Sequence, residues 1–219
     1  MKLVVFGASG GVGKHVVEQA LHKEHSVRAV YRAASTARPQ HNLEAVSLSD
    51  FFGGQALSEA IVGADAVISC LGPRRDHPKN PWSKVISPLD LMECFCEALI
   101  EAMTQIDMPK RFVVVSAAGV GTSAPLMHPV LRFVFGHSNV GLAYRDLARM
   151  EEQIERSKLD WTIVRPVTLT TGPLNGEVKF CSRFDLSNSI SRADVAAFLL
   201  RCVEEPQTIS SRTPMICTR

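Results

Sequence analysis

The chain has 219 residues, 46% hydrophobic and 21% charged, an ordinary globular mixture. That length fits a single domain and buries roughly 70% of the surface its unfolded chain exposes, so no disulfide or metal framework is needed. Lys and Arg (24) against Asp and Glu (22) leave a net charge of +2, with the charges scattered, which argues against a nucleic-acid face of the strongly basic kind.

Taken in chain order, Lys2–Phe6 reads as a short apolar strand, residues 7–13 as a glycine-rich turn, and Lys14–Lys23 as a helix through Val16, Val17, Ala20 and Leu21. Ser26–Tyr31 is a second strand, and Glu44–Leu48, Ala66–Cys70, Arg111–Ser116 and Trp161–Arg165 are further ones. Between them lie helical stretches near Gln55–Ile61, Pro88–Ile106 and Val140–Ser157. Strands that are nearly all apolar and alternate with helices give an α/β protein: a Rossmann-type, doubly wound parallel sheet covered on both faces. After Pro166 the alternation weakens. Glu177–Phe180 reads as a short strand, and Ser191-Arg192-Ala193-Asp194 as a capping box opening a helix over Val195–Val203. The expectation is one domain over 1–219, with a cofactor-binding core to about 165 and a small substrate-side lobe over 166–219.

The six cysteines, Cys70, Cys94, Cys96, Cys181, Cys202 and Cys217, contain no C-x-x-C pair and no His at zinc-site spacing. Free thiols and no metal are expected. The sequence enters an apolar strand at once, without a signal-peptide pattern, and no apolar run reaches ~18 residues. These readings give a cytoplasmic protein with neither membrane nor nucleic acid as partner.

Gly7, Gly10 and Gly13 form G-x-x-G-x-x-G directly after a strand and at the mouth of a helix, the context in which glycines let the backbone turn sharply and approach a pyrophosphate. An NTPase phosphate loop fails, because Ala8 stands where its first Gly belongs and His15 where Ser or Thr must follow Lys14. The second strand ends on Arg32, and no Asp or Glu occurs from Ser26 through Leu43. A carboxylate there would hold the ribose of NAD; an Arg, with Ser35 and Arg38 nearby, suits a 2′-phosphate, so NADP(H) is expected over NAD(H).

With these residues in hand the chain resembles the atypical short-chain dehydrogenase/reductases of the NAD(P)H-binding, NmrA-like branch, and more narrowly the biliverdin reductase B/flavin reductase type. The resemblance rests on 5–13, Arg32, Asp65-Ala66-Val67-Ile68-Ser69-Cys70-Leu71-Gly72-Pro73-Arg74, Val113–Ala117, Asp160–Pro166 and Ser191–Ala196. It implies that Gly7, Ser9, Gly10, Gly11 and Val12 hold the pyrophosphate and Arg32 the 2′-phosphate. By the same resemblance Asp50 lies near the adenine, Leu71 and Gly72 line the adenosine ribose, and Arg74 lies over the cofactor. Ser116 and Ala117 face the nicotinamide, with Pro166, Val167 and Thr168 closing its other side.

Short-chain dehydrogenases protonate their substrate through Tyr-x-x-x-Lys, with a Ser polarising the carbonyl. Ser116 and Tyr144 are the catalytic candidates, but Ala148 occupies the Lys position and Arg149 lies ~140° around the helix from Tyr144. Tyr144 also shares helical spacing with Val140, Leu147 and Ile154, and a packing role stays open. A flavin or quinone accepts hydride without that relay, provided the protein stacks it on the nicotinamide. Where the biliverdin-reducing relatives carry a His, this chain has Thr168, which turns the expectation from biliverdin toward flavin or quinone. Three readings follow: an NADPH-dependent reductase with a small conjugated acceptor; a catalytically silent NADP(H)-binding sensor of NmrA-like type; and, third, an epimerase/dehydratase-like enzyme. His128 and His137, flanking the apolar stretch Pro129–Phe135, are pocket acids or packing residues, and 74–79 reads as a solvated, mobile loop.

Overall fold

The apolar runs of the sequence become one sheet. In the computed structural model, which describes residues 1–32, 40–106 and 111–218, the chain forms β1 (Lys2–Phe6), α1 (Gly13–His22), β2 (Ser26–Tyr31), β3 (Leu43–Ser47), α2 (Gly54–Ile61), β4 (Ala66–Ser69), α3 (Leu91–Gln105) and β5 (Arg111–Val115). There follow α4 (Pro129–Gly136), α5 (Val140–Arg156), β6 (Asp160–Pro166), β7 (Thr168–Thr170), β8 (Lys179–Phe180), β9 (Ser189–Ser191), α6 (Arg192–Glu204) and β10 (Met215–Cys217). The strand order is β3-β2-β1-β4-β5-β6-β10-β8, parallel throughout except for the β10–β8 pair. This is the Rossmann-type α/β fold, and its order reverses between β1 and β4, where a crevice opens beyond the carboxyl ends of the strands. β7 and β9 pair separately, in parallel.

Alternation along each strand divides the core into two layers. Leu3, Val5, Ile68, Val113 and Val164 face α1 and α6, packing on Val16, Ala20, Val195 and Leu199. Val4, Phe6, Val67, Val114 and Ile163 face α2, α3 and α5. There Phe6, Phe51 and Phe95 form an edge-on cluster with ring centroids 5.2 to 6.4 Å apart. Each such fully buried side chain contributes about 1.5–3 kcal/mol by leaving water.

Buried charges fix the helices on this frame. The Asp146 carboxylate, on α5, accepts from the Met92 and Glu93 amides at 3.0 to 3.1 Å and so caps α3 from another helix. Burial pushes its pKa up, and neighbouring Glu93 and Asp90 add to the rise, while the two amides pull against it. Arg28 is buried: it donates to the carbonyls of Ala60 and Val62 at the end of α2 and pairs with Glu44 at 2.8 Å. Arg165 and Glu151, both 3% exposed, pair through two hydrogen bonds of 3.0 and 2.6 Å, and Arg165 also donates to Thr122.

Beyond Pro166 the chain serves two ends. β7 and β9 stand outside the main sheet, while α6 packs on α1 and β10 inserts beside β6. The capping box is present: Ser191 Oγ accepts from the Asp194 amide at 3.0 Å and donates to its carboxylate at 2.7 Å. The carboxylate also takes the amides of Asn175 and Gly176, clamping the preceding loop to the start of α6. The expectation of six free thiols is corrected: Cys181 and Cys217 are joined by a disulfide that links the end of β8 to β10, and the other four are free. Cys181 follows β8 and Cys217 ends the antiparallel neighbour β10, 36 residues further on, a proximity that spacing alone does not reveal.

Candidate functional site

The crevice at the β1/β4 reversal is built by the glycine turn. Gly7 takes the left-handed conformation at φ +73, and a Cβ on it would lie 2.9 Å from the Cys70 carbonyl carbon at the end of β4. A Cβ on Gly13 would collide with the Gly7 carbonyl oxygen, so the turn folds tightly back and launches α1 directly. Gly10 donates its amide to the Gly7 oxygen at 2.9 Å. The first turn of a helix lacks intrahelical acceptors for its amides, and together with the helix dipole this favours an anion there. Ser9 and Gly11 are exposed at the turn, whereas Val12 is buried and anchors it to the α1 layer. The cradle therefore fits a pyrophosphate: short backbone, exposed turn residues, and a helix start aimed at one place.

At the other end of the crevice, Arg32 follows β2 with its guanidinium 6.0 Å from the centre of the Phe51 ring. Arg32, Ser49, Asp50, Phe51, Phe52 and Pro88 line a depression of about 130 Å³. A cation, an aromatic wall and the Ser49 hydroxyl fit an adenosine bearing a phosphate. Asp50 turns one oxygen to the Phe52 amide at 2.8 Å, holding the 49–53 turn that forms the rim. Ser35 and Arg38, expected beside Arg32, lie outside the described residues.

Between these ends Leu71 and Gly72, both half-buried, continue from β4 along the crevice. Arg74 is exposed, and its amide donates to Ser87 Oγ at 3.1 Å. The 74–86 loop is solvated and internally tied. Arg75 donates to the carbonyls of Pro78 and Asn80, Ser83 donates to that of His77, and Asn139 reaches over to the Trp82 carbonyl.

Ser116 follows β5, 6% exposed, and its hydroxyl has no partner among the described residues. The hydroxyl of Ser69, at the end of the adjacent β4, is likewise buried and unpartnered. Ala117 is half-buried; Pro166 and Val167 are buried, and Thr168 is exposed at the start of β7. The Ala118 amide donates to the Pro166 carbonyl at 2.9 Å and the Val167 amide to Ile216, so these segments sit side by side beyond the sheet. Tyr144 is placed differently from a free acid. Its hydroxyl donates to the Ala118 carbonyl at 3.1 Å, and its ring meets Phe135 edge-on at 5.3 Å. Burial drives its pKa well above the ordinary phenol value, with Arg75 pulling the other way.

Sequence reasoning missed three features. Pro129–Gly136 is a helix with a residue at each end bonded to it: His128 Nδ1 accepts from the Val130 amide, and His137 Nδ1 lies 2.8 Å from the Phe133 carbonyl. Pro129 at the first helical position was the sequence signal for it. Asp146 caps α3 across 54 residues. Arg192 lies against Gly11, a contact between residues with no sequence relation. Among the described residues no group of three His, Cys, Asp or Glu side chains could hold a metal, and no helix is long and apolar enough to cross a membrane.

The sequence matches the NAD(P)H-binding family over residues 7–206. It is 29% identical to an uncharacterized chloroplast protein of Arabidopsis thaliana, over 81% of this chain and 62% of that one. It is 26% identical to the chloroplast divinyl chlorophyllide a 8-vinyl-reductase of the same plant, over 98% of this chain and 53% of that one. The chain thus spans less than two thirds of either relative. Among solved structures, the anaerobilin reductase ChuY of Escherichia coli O157:H7 superposes with a TM-score of 0.78 at 23% identity, covering 99% of this chain and 96% of the other. That likeness bears on the fold alone. From the match across residues 7–206, the chain belongs to the NAD(P)H-binding family.

Proposed function

We propose that this chain is an NADPH-dependent reductase whose acceptor is a small conjugated molecule of the flavin or quinone class. When bound, the nicotinamide supplies a hydride. The glycine turn and the start of α1 hold the diphosphate, Arg32 pairs with the 2′-phosphate, and the strand ends at Ser116, Ala117 and Pro166 wall the reacting end. The observation that carries the reading is the combination at that end: Ala148 in the lysine position, and a Tyr144 hydroxyl bonded to the Ala118 carbonyl. No Tyr/Lys pair stands ready to donate a proton, so the acceptor is one that takes its proton from water. The unpartnered Ser116 hydroxyl supplies a hydrogen-bonding group at the wall. Two of the similar proteins are named as reductases, in keeping with this reading.

We place the activity in the cytoplasm, where four free thiols stay reduced; the Cys181–Cys217 disulfide pulls the other way. A Tyr144 hydroxyl engaged by the Ala118 carbonyl also favours a second reading, a silent NADP(H)-binding sensor. Oxidation of NADPH by the purified protein, followed by absorbance with and without FMN or a simple quinone, separates them. Acceptor-dependent oxidation, faster with NADPH than with NADH, supports the reductase. Tight NADPH binding without turnover on either acceptor rejects it and leaves the sensor.

A further inference from the structure

Gly11 is a glycine for a reason different from Gly7. Its φ is not positive, so its backbone does not call for glycine. What a side chain would meet is Arg192: a Cβ on Gly11 would lie 2.8 Å from both Cδ and Nε of that residue. Arg192 opens α6, 181 positions further along the chain, and its side chain lies across the exposed corner of the glycine turn. One Nη1 hydrogen goes to the Thr170 carbonyl of β7 at 3.0 Å. A guanidinium carries four further N–H donors in a fixed fork. Among the described residues no carboxylate lies within 4.0 Å of it. An unpaired cation therefore sits beside the positive end of α1, at the turn read above as the diphosphate site. Two positive groups side by side without a counter-ion repel each other and gain most when an anion bridges them.

We propose that Arg192 is a diphosphate-binding residue of this site, a cation delivered to the glycine turn by the segment after β6. It rests on the reading of the turn as a dinucleotide site and adds to it a residue outside the first β-α-β unit. The same side chain grips the ligand and holds β7, so that binding at the turn and order in the 167–176 segment are linked.

The test uses calorimetric titration of the intact protein with three ligands. ADP-ribose presents the diphosphate without the 2′-phosphate, adenosine 2′-monophosphate presents the reverse, and NADPH has both. Arg192→Gln is expected to weaken ADP-ribose and NADPH by about 10- to 100-fold, the scale of a lost charge-assisted contact, and to change adenosine 2′-monophosphate less than about twofold. Arg192→Lys should recover part of the loss. Gly11→Ala, which pushes the arginine aside, should weaken ADP-ribose similarly, and the double variant should be no worse than either single one. Unchanged ADP-ribose affinity in Arg192→Gln overturns the assignment, as does an equal loss for adenosine 2′-monophosphate, which marks a general structural effect. If the unaltered protein binds none of the three, the dinucleotide reading itself falls, and this assignment with it.

Discussion

Asp194 offers the sharpest test of how the segment after β6 is held. Its carboxylate is fully buried and accepts from the Asn175 amide at 2.8 Å, the Gly176 amide at 2.9 Å and Ser191 Oγ at 2.7 Å. Asp194→Asn keeps the shape but replaces one acceptor oxygen with an NH2 donor. That group must face a donor already in place, so one or two buried N–H or O–H groups lose their partner and the rest lose charge assistance. At about 1–3 kcal/mol for each buried group left unpaired, the variant should lose about 3 kcal/mol. For a domain of this size that is a fall of about 6–12 °C in Tm, read by thermal unfolding at neutral pH. The pH dependence supplies an independent check. Burial raises the Asp194 pKa, but the Ser191 hydroxyl and the Gly176 and Asn175 amides outweigh it and bring it below the ordinary 3.8. A carboxylate depressed in the folded state contributes stability that is complete above its unfolded pKa and is lost as pH falls through the folded value. The difference between the two proteins should therefore hold steady above pH 4 and shrink below it. Equal stability at pH 7, or a difference that grows on acidification, would refute the clamp.

Further outcomes are expected at Arg32, Asp146, Ser116 and Ser123. Arg32→Glu should weaken NADPH by about 2–3 kcal/mol while leaving NADH within about twofold, measured by fluorescence titration; equal effects on both would remove Arg32 from the 2′-phosphate. Asp146→Ala uncaps α3 and should cost about 1–2 kcal/mol in urea unfolding. Because burial holds the Asp146 carboxyl above its ordinary pKa, its contribution favours folding less as pH rises through that window, and Asp146→Asn should flatten this slope. Ser116→Ala deletes a hydroxyl that makes no bond and should leave Tm within about 2 °C, whereas Ser123→Ala, which breaks bonds to the Gly119 amide and Val120 carbonyl, should lower stability by about 1–3 kcal/mol.

The parts of this molecule that can be read from the sequence are those encoded locally. Strands such as Val4-Val5-Phe6 and Ala66-Val67-Ile68 announce burial on both faces, and Gly7, Gly10 and Gly13 announce a tight approach of backbone to backbone, which the Gly7–Cys70 contact realises. The capping box at Ser191 is likewise written within four residues. What escaped depends on groups distant in sequence. The three residues of β10 carry no period of their own and are strand only because β6 and β8 flank them. Asp146 looks like any polar residue on an amphipathic helix until the first turn of α3 is set against it. Tyr144 sits where a proton donor is sought, and only the Ala118 carbonyl and the Phe135 ring show how it is held.

The position of β10 has a wider meaning. After Pro166 the chain meets the sheet again only as the edge strand β8 before it returns at Met215 to the place beside β6, with Arg165 paired to Met215 and Pro166 to Ile216. Departure and return are thus adjacent, and everything between them is a closed excursion whose two feet stand on the same floor. Closing such a loop costs little more when it is long than when it is short, since the entropy grows only with the logarithm of its length. The 167–214 stretch can accept insertions and deletions at its exposed tips without disturbing the strand pairing on either side. A family built on this plan can vary the wall of its crevice while the floor and the glycine turn stay unchanged.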